Sequence, residues 1–172
     1  MFHSEKSSLV REYGNERLVL EAWGKDSLRV RSTMRACFED QSWALVPRES
    51  AEAPEISIQG DGSASITNGR ITARVDPRGQ IAFLNREGAV LLEEFMRVRL
   101  GNMESGDGQI DKAAVTYFNS ALSIYPREFK PILGGDYSLT VRFESHPEEK
   151  LFGMGQYQHG FLNQKNCVLE LA

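Results

Sequence analysis

At 172 residues with 41% hydrophobic content, the chain is the size of one ordinary domain and apolar enough to close one core of its own. Its formal charge of −4 is small, its Lys and Arg residues are scattered, and no apolar run nears the roughly 20 residues that span a bilayer, so neither nucleic acid nor a membrane is expected as a partner. The start, Met1-Phe2-His3-Ser4-Glu5-Lys6, lacks the apolar core and small-residue cleavage site of a leader, which predicts a cytoplasmic protein.

In chain order, Leu18, Leu20 and Ala22 alternate with Arg17, Val19 and Glu21. After a break at Gly24-Lys25-Asp26, Leu28 and Val30 alternate with Arg29 and Arg31. Period-two alternation across a short turn predicts two paired strands. Trp23 adjoins the turn and is expected near the surface; Trp43, in a run with Ala44, Leu45 and Val46, is expected inside. The polar stretch 49–54 reads as a loop. From Ser65 to Val75 two alternating runs flank Asn68-Gly69, which supplies the two positive-φ positions of a tight hairpin. Pro77-Arg78-Gly79 then turns the chain into a strand over 80–84, and Arg86-Glu87-Gly88 turns it into another over 89–92.

Residues 101–108 read as a surface loop. The stretch 113–125 has both helical and strand spacing, and a strand around 120–125 is favoured. From Asp136 to Glu144, Tyr137, Leu139, Val141 and Phe143 alternate with Ser138, Thr140, Arg142 and Glu144, which predicts a strand with one buried and one wet face. The final run, Cys167 to Ala172, has strand character and stops without a turn or polar tail, as a chain cut within a larger protein would. Many short strands punctuated by Gly and Pro predict an all-β antiparallel sandwich.

No catalytic constellation emerges from these residues. His3, His146 and His159 stand apart, with no Cys, Asp or Glu at ligand spacing, so neither a metal nor another cofactor is expected. Cys37 and Cys167 are distant and read as free thiols. Glu93-Glu94 and Glu148-Glu149 are neighbours that point to opposite faces of a strand, which rules out two carboxylates flanking one bond and leaves solvated charge as the expectation. Gly153-Met154-Gly155 lacks the third glycine and the Lys of a phosphate loop.

At Phe152-Gly153-Met154-Gly155-Gln156, followed by Tyr157, the chain resembles glycoside hydrolase family 31, whose N-terminal β-sandwich closes on an aromatic-Gly-(Leu/Met/Phe)-Gly-Glu motif. Leu28-Arg29-Val30-Arg31 resembles that domain's early strand, and the hairpin and later strands follow in the family's order. The resemblance covers about the whole chain and implies a galactose-mutarotase-like supersandwich over residues 1–172. It also implies a retaining exo-α-glycosidase of α-xylosidase or α-glucosidase type. Such an enzyme's two catalytic Asp residues lie on a following (β/α)₈ barrel of about 250 residues, too large to fit within this chain. This chain alone is therefore expected to be inactive, with that barrel as its partner and a carbohydrate as the substrate of the whole enzyme.

Phe152, Gly153, Gly155, Gln156, Tyr157 and Phe161 are the expected contacts with the barrel. Aromatics at such a seam fill the contact more often than they stack on a sugar, although Tyr157, His159 and Phe161 suit either. Gln156 in place of the family's Glu removes a charge while keeping the hydrogen-bonding capacity. The other reading is a free-standing carbohydrate-binding or mutarotase-like sandwich. That reading needs a convergent His and Glu pair for proton transfer, and His146 and His159 are not convincingly placed to supply it.

Overall fold

The computed structural model describes residues 1–38, 45–46, 53–97, 123–153 and 160–168. The described elements are all strands. β1 (Phe2–Glu5), β2 (Ser8–Tyr13), β3 (Glu16–Gly24) and β4 (Ser27–Thr33) form a four-stranded meander. β5 (Glu55–Ile58), β6 (Ala64–Asn68), β7 (Ile71–Val75), β8 (Ile81–Leu84) and β9 (Val90–Glu93) form a five-stranded one, and β10 (Arg127–Ile132) with β11 (Asp136–Val141) forms a hairpin. Every pairing is antiparallel. The expected fold class is the observed one.

The register shows why the two meanders stack. Leu9 faces Leu20 across β2 and β3, and Ala22 faces Leu28 across β3 and β4, so one face of the first sheet is continuously apolar. Ile66 faces Ala73 across β6 and β7, and Val75 faces Ile81 across β7 and β8. These inner residues close into one buried cluster of Leu9, Leu18, Leu20, Ala64, Ile66, Ala73, Val75 and Ile81, with Phe2, Leu28, Ile56 and Phe83 at its margin. Each fully buried Leu or Ile contributes roughly 1.5–3 kcal/mol of transfer free energy, which makes this the principal stabilising element of the sandwich. β3 is buried on its outer face as well, at Val19 and Glu21.

The tight hairpin forms, but one residue later than the sequence suggests. Asn68 is the last pair of the ladder, opposite Ile71, and the two loop residues are Gly69 and Arg70. Only Gly69 of these has positive φ, at 60°, which is the pattern of a type II′ turn. Asn68 is released for another task. Its buried amide donates to Gly24 O at 2.6 Å and Ser27 O at 2.7 Å, tying this hairpin to the turn between β3 and β4 in the opposite sheet. Asp26 in that turn, itself at φ 55°, accepts from the Arg70 backbone N–H at 2.8 Å and from its Nε at 2.9 Å.

Four strands went unmarked by the alternation. β1 and β5 have four residues each, and β10 carries Pro131, a residue confined to edges because it cannot donate to a ladder. β2 shows why a run with only two large apolar residues still forms a strand: Leu9 is buried inward and Val10 outward. Of the stretch 113–125, Ile124 forms a single bridge with Arg97, and residues 113–122 lie outside the described part, as do 49–52 and 101–108. Of the C-terminal run, Cys167 and Val168 belong to no strand, and residues 169–172 lie outside the described part.

The hairpin β10–β11 departs most from expectation. The predicted strand 136–144 ends at Val141, with Phe143 continuing only as a bridge to Glu94. Its apolar side is not buried: Tyr137, Leu139, Val141 and Phe143 are 38–45% exposed. Phe95 N–H donates to Arg142 O and Glu144 N–H to Glu93 O, both within 2.9 Å, so the hairpin continues the five-stranded sheet beyond β9. Nothing described covers its inner side.

Candidate domain interface

Of the sequence-predicted site residues, Phe152, Gly153 and Phe161 are described; Gly155, Gln156 and Tyr157, with His159 and Trp43, lie outside the described residues. Phe152 is 58% exposed and Phe161 68% exposed. Gly153 has φ 89°, a backbone state that side chains other than glycine rarely adopt, which accounts for a glycine after the aromatic. Leu151 N–H donates to Asn163 Oδ1 at 2.9 Å, and Gln164 N–H donates to Leu151 O at 2.7 Å. Those two bonds strap the segment before the glycine to the segment 160–168 and bring Leu151 and Phe152 alongside Phe161 and Leu162. Lys165 Nζ donates to the carbonyls of His146 and Pro147, holding the same strap from behind. The result is an apolar end patch whose large side chains reach solvent, and a monomer's surface rarely keeps such a cluster without use.

The sequence reading missed the most closed polar site. Glu94, expected in solvent, has a side chain only 3% exposed, and Arg127 beside it is 5% exposed. Arg127 Nη1 donates to both Glu94 oxygens, Nε donates to Glu16 Oε1 at 2.6 Å, and Nη2 donates to Gly79 O at 2.7 Å. Glu94 Oε2 also accepts the Ile81 backbone N–H at 2.9 Å. Burial pushes the Glu94 carboxyl above its ordinary range, against the pull of Arg127 and of the Ile81 N–H. Burial also pulls the Arg127 guanidinium down, but Glu94 and Glu16 more than reverse it. The cluster is closed to a substrate, and its bonds run to strand β10, to both meanders and to the β7–β8 turn. Its chemistry is that of a rivet that fixes the hairpin on the sandwich. Only Arg127, 33 residues from Glu94, could have signalled it.

Among the other side chains singled out from sequence, Trp23 is half-buried, donating from Nε1 to Val46 O at 3.0 Å beneath the Arg29 guanidinium. Both cysteines are free, Cys37 at the surface and Cys167 half-buried. His146 is exposed and His3 half-buried on β1.

No family model matches the chain. It is 47% identical over 155 residues to a protein of Pseudescherichia vulneris described as an uncharacterized family 31 glucosidase, a match covering 90% of this chain and 28% of that protein. A GH31 α-xylosidase from a soil metagenome, solved with xylose, superimposes over 97% of this chain and 24% of its own, at 41% identity and a TM-score of 0.81. The chain carries the N-terminal β-sandwich of glycoside hydrolase family 31. The GH31 α-xylosidase of Xanthomonas citri has the same fold at 23% identity, with a TM-score of 0.68 over 94% of this chain and 15% of its own. The family 31 sandwich described here thus spans about a quarter or less of the length of these relatives.

Proposed function

We propose that this sandwich is the non-catalytic front domain of a retaining exo-α-glycosidase of the α-xylosidase or α-glucosidase kind. Its apolar end patch at Phe152 and Phe161 packs on a catalytic barrel and helps wall the carbohydrate pocket. The observation that carries the reading is the match to the soil-metagenome α-xylosidase, which takes in nearly all of this chain but only 24% of that one. The exposed apolar end supports it, since a surface of that kind fits a domain seam better than bulk water. The proposed division of labour leaves bond cleavage to the barrel and support to the sandwich.

The test is a paired assay on nitrophenyl α-xyloside and α-glucoside. The 172-residue chain should be silent while the soil-metagenome α-xylosidase turns over at least one of the two. Turnover by the chain alone would overturn the reading.

A further inference from the structure

Asn68-Gly69 is the one Asn-Gly step in the sequence, and the fold gives its two residues separate work. Gly69 carries the turn at φ 60°, while Asn68 ends the β6 ladder opposite Ile71. Asn68 is 5% exposed, and its amide nitrogen donates to Gly24 O at 2.6 Å and to Ser27 O at 2.7 Å. The next residue is held from the same turn of the opposite sheet, since Asp26 accepts from the Arg70 backbone N–H at 2.8 Å and from its Nε at 2.9 Å.

An asparagine followed by glycine is open to attack by its own backbone, because the glycine has no side chain to hinder the approach and its dihedrals are free. In that reaction the Gly69 nitrogen bonds to Asn68 Cγ. Its proton and the Asn68 amide group leave together as ammonia, and a five-membered succinimide closes. Water then adds to either ring carbonyl and opens the ring, giving aspartate or an isoaspartate whose backbone runs through Cβ. The net change is hydrolysis of one amide, with water as the only co-reactant. In the sandwich the attack is blocked. Cγ must swing onto the Gly69 nitrogen, but the amide is pinned toward Gly24 and Ser27 and burial keeps water away. The ladder pair with Ile71 and the Asp26–Arg70 bonds fix the backbone on either side of the reacting bond.

We infer that Asn68-Gly69 is a deamidation site gated by folding: shut in the native sandwich, open in the unfolded chain, and a bar to refolding once used. The last step follows from the hydrogen-bond inventory of the site. Two carbonyls there take a donor from the Asn68 amide, and its nitrogen carries two N–H groups, one for each. An aspartate presents only lone pairs to Gly24 O and Ser27 O, so both lose their partner and a charge is buried beside them. An isoaspartate adds a backbone atom where β6 must meet Ile71 in register, so the hairpin cannot close as it does now. Either product is a chain that has lost the tie between this hairpin and the β3–β4 turn.

The test incubates the chain at mildly alkaline pH, folded in buffer and unfolded in guanidinium chloride. Peptide mapping follows the gain of one dalton at Asn68 and separates isoaspartate from aspartate. The folded chain should convert at least about tenfold more slowly, since only its transiently open fraction reacts. When the denaturant is diluted, the refolded fraction should hold intact Asn68, and the fraction that fails to refold should be enriched in aspartate and isoaspartate at that position. Asn68→Asp should lower the folding equilibrium constant at neutral pH by at least about tenfold, the low end of what two unsatisfied buried acceptors cost. Where Asn68→Asp does not fold at all, the partition on refolding, which uses the wild-type chain, still decides. Equal conversion in the folded and unfolded chain overturns the inference. So do products spread evenly between refolded and unrefolded chains, or an Asn68→Asp chain as stable as wild type.

Discussion

Arg127 sits where three parts of the molecule meet, and its burial with Glu94 makes the pair sensitive to the loss of one member. Removing a single partner of a buried ion pair strands the other charge in low dielectric, which costs about 3–5 kcal/mol, whereas removing both charges costs far less. Arg127→Met should therefore destabilise the chain by about that amount in urea or thermal unfolding. Adding Glu94→Gln, which keeps an acceptor for the Ile81 N–H, should restore about half of it; a coupling below about 0.5 kcal/mol would mean the rivet holds nothing. Asp26 offers a pH test. The Arg70 backbone N–H, then its side chain, hold the Asp26 carboxyl below its ordinary value. A carboxylate with a depressed folded pKa adds stability above its ordinary pKa of about 4 and loses it as pH falls through the folded value. Wild type should accordingly lose stability relative to Asp26→Asn below about pH 4, and parallel acid profiles for the two would remove Asp26 from the account. Neither site announces itself in sequence. Glu94 reads as half of an exposed acidic pair because its partner is remote, and Asn68-Gly69 reads as a complete turn because nothing local shows that Asn68 is needed by Gly24 and Ser27.

Among the elements, legibility follows burial. β3 with β4 and β6 with β7 were plain because a core on one side imposes their alternation, whereas β8 and β9 were marked by the turns that precede them; β9 itself is largely exposed. β1 and β5 are too short to show a period, and Pro131 disguises β10. The hairpin inverts the lesson: the alternation in β11 is strong, yet its apolar side is open, since pattern records what a face is built to meet and not whether the partner is present. The hairpin joins the five-stranded sheet through residues 93–95 but keeps its apolar side exposed, and elements with few buried contacts open locally below the global free energy. Amide exchange should thus show β10 and β11 protected well below β3 and β6, with Arg127 among their slower amides because of the rivet. Protection equal to that of β3 would require cover that the described residues do not provide.

At the scale of the whole molecule, the core and the end patch make opposite demands on the same kind of residue. Leu20 is fully buried between the sheets, so Leu20→Ala removes transfer energy and leaves a cavity, for a loss of about 2–5 kcal/mol. Phe152 and Phe161 already face solvent, so their removal should change the stability of this chain by no more than about 0.5 kcal/mol. If the patch is a domain seam, the same two substitutions must cost something once a barrel is present. Placed at the equivalent positions of the soil-metagenome α-xylosidase, they should lower its thermal midpoint and its turnover together, while Phe152→Ala and Phe161→Ala in the isolated sandwich leave its unfolding curve in place. Unfolding of the isolated sandwich by either change would return both aromatics to its own core. A silent result in both proteins would leave the patch without a partner in the enzyme. The contrast between an indifferent domain and a sensitive whole is the signature of a surface that is finished only by its neighbour.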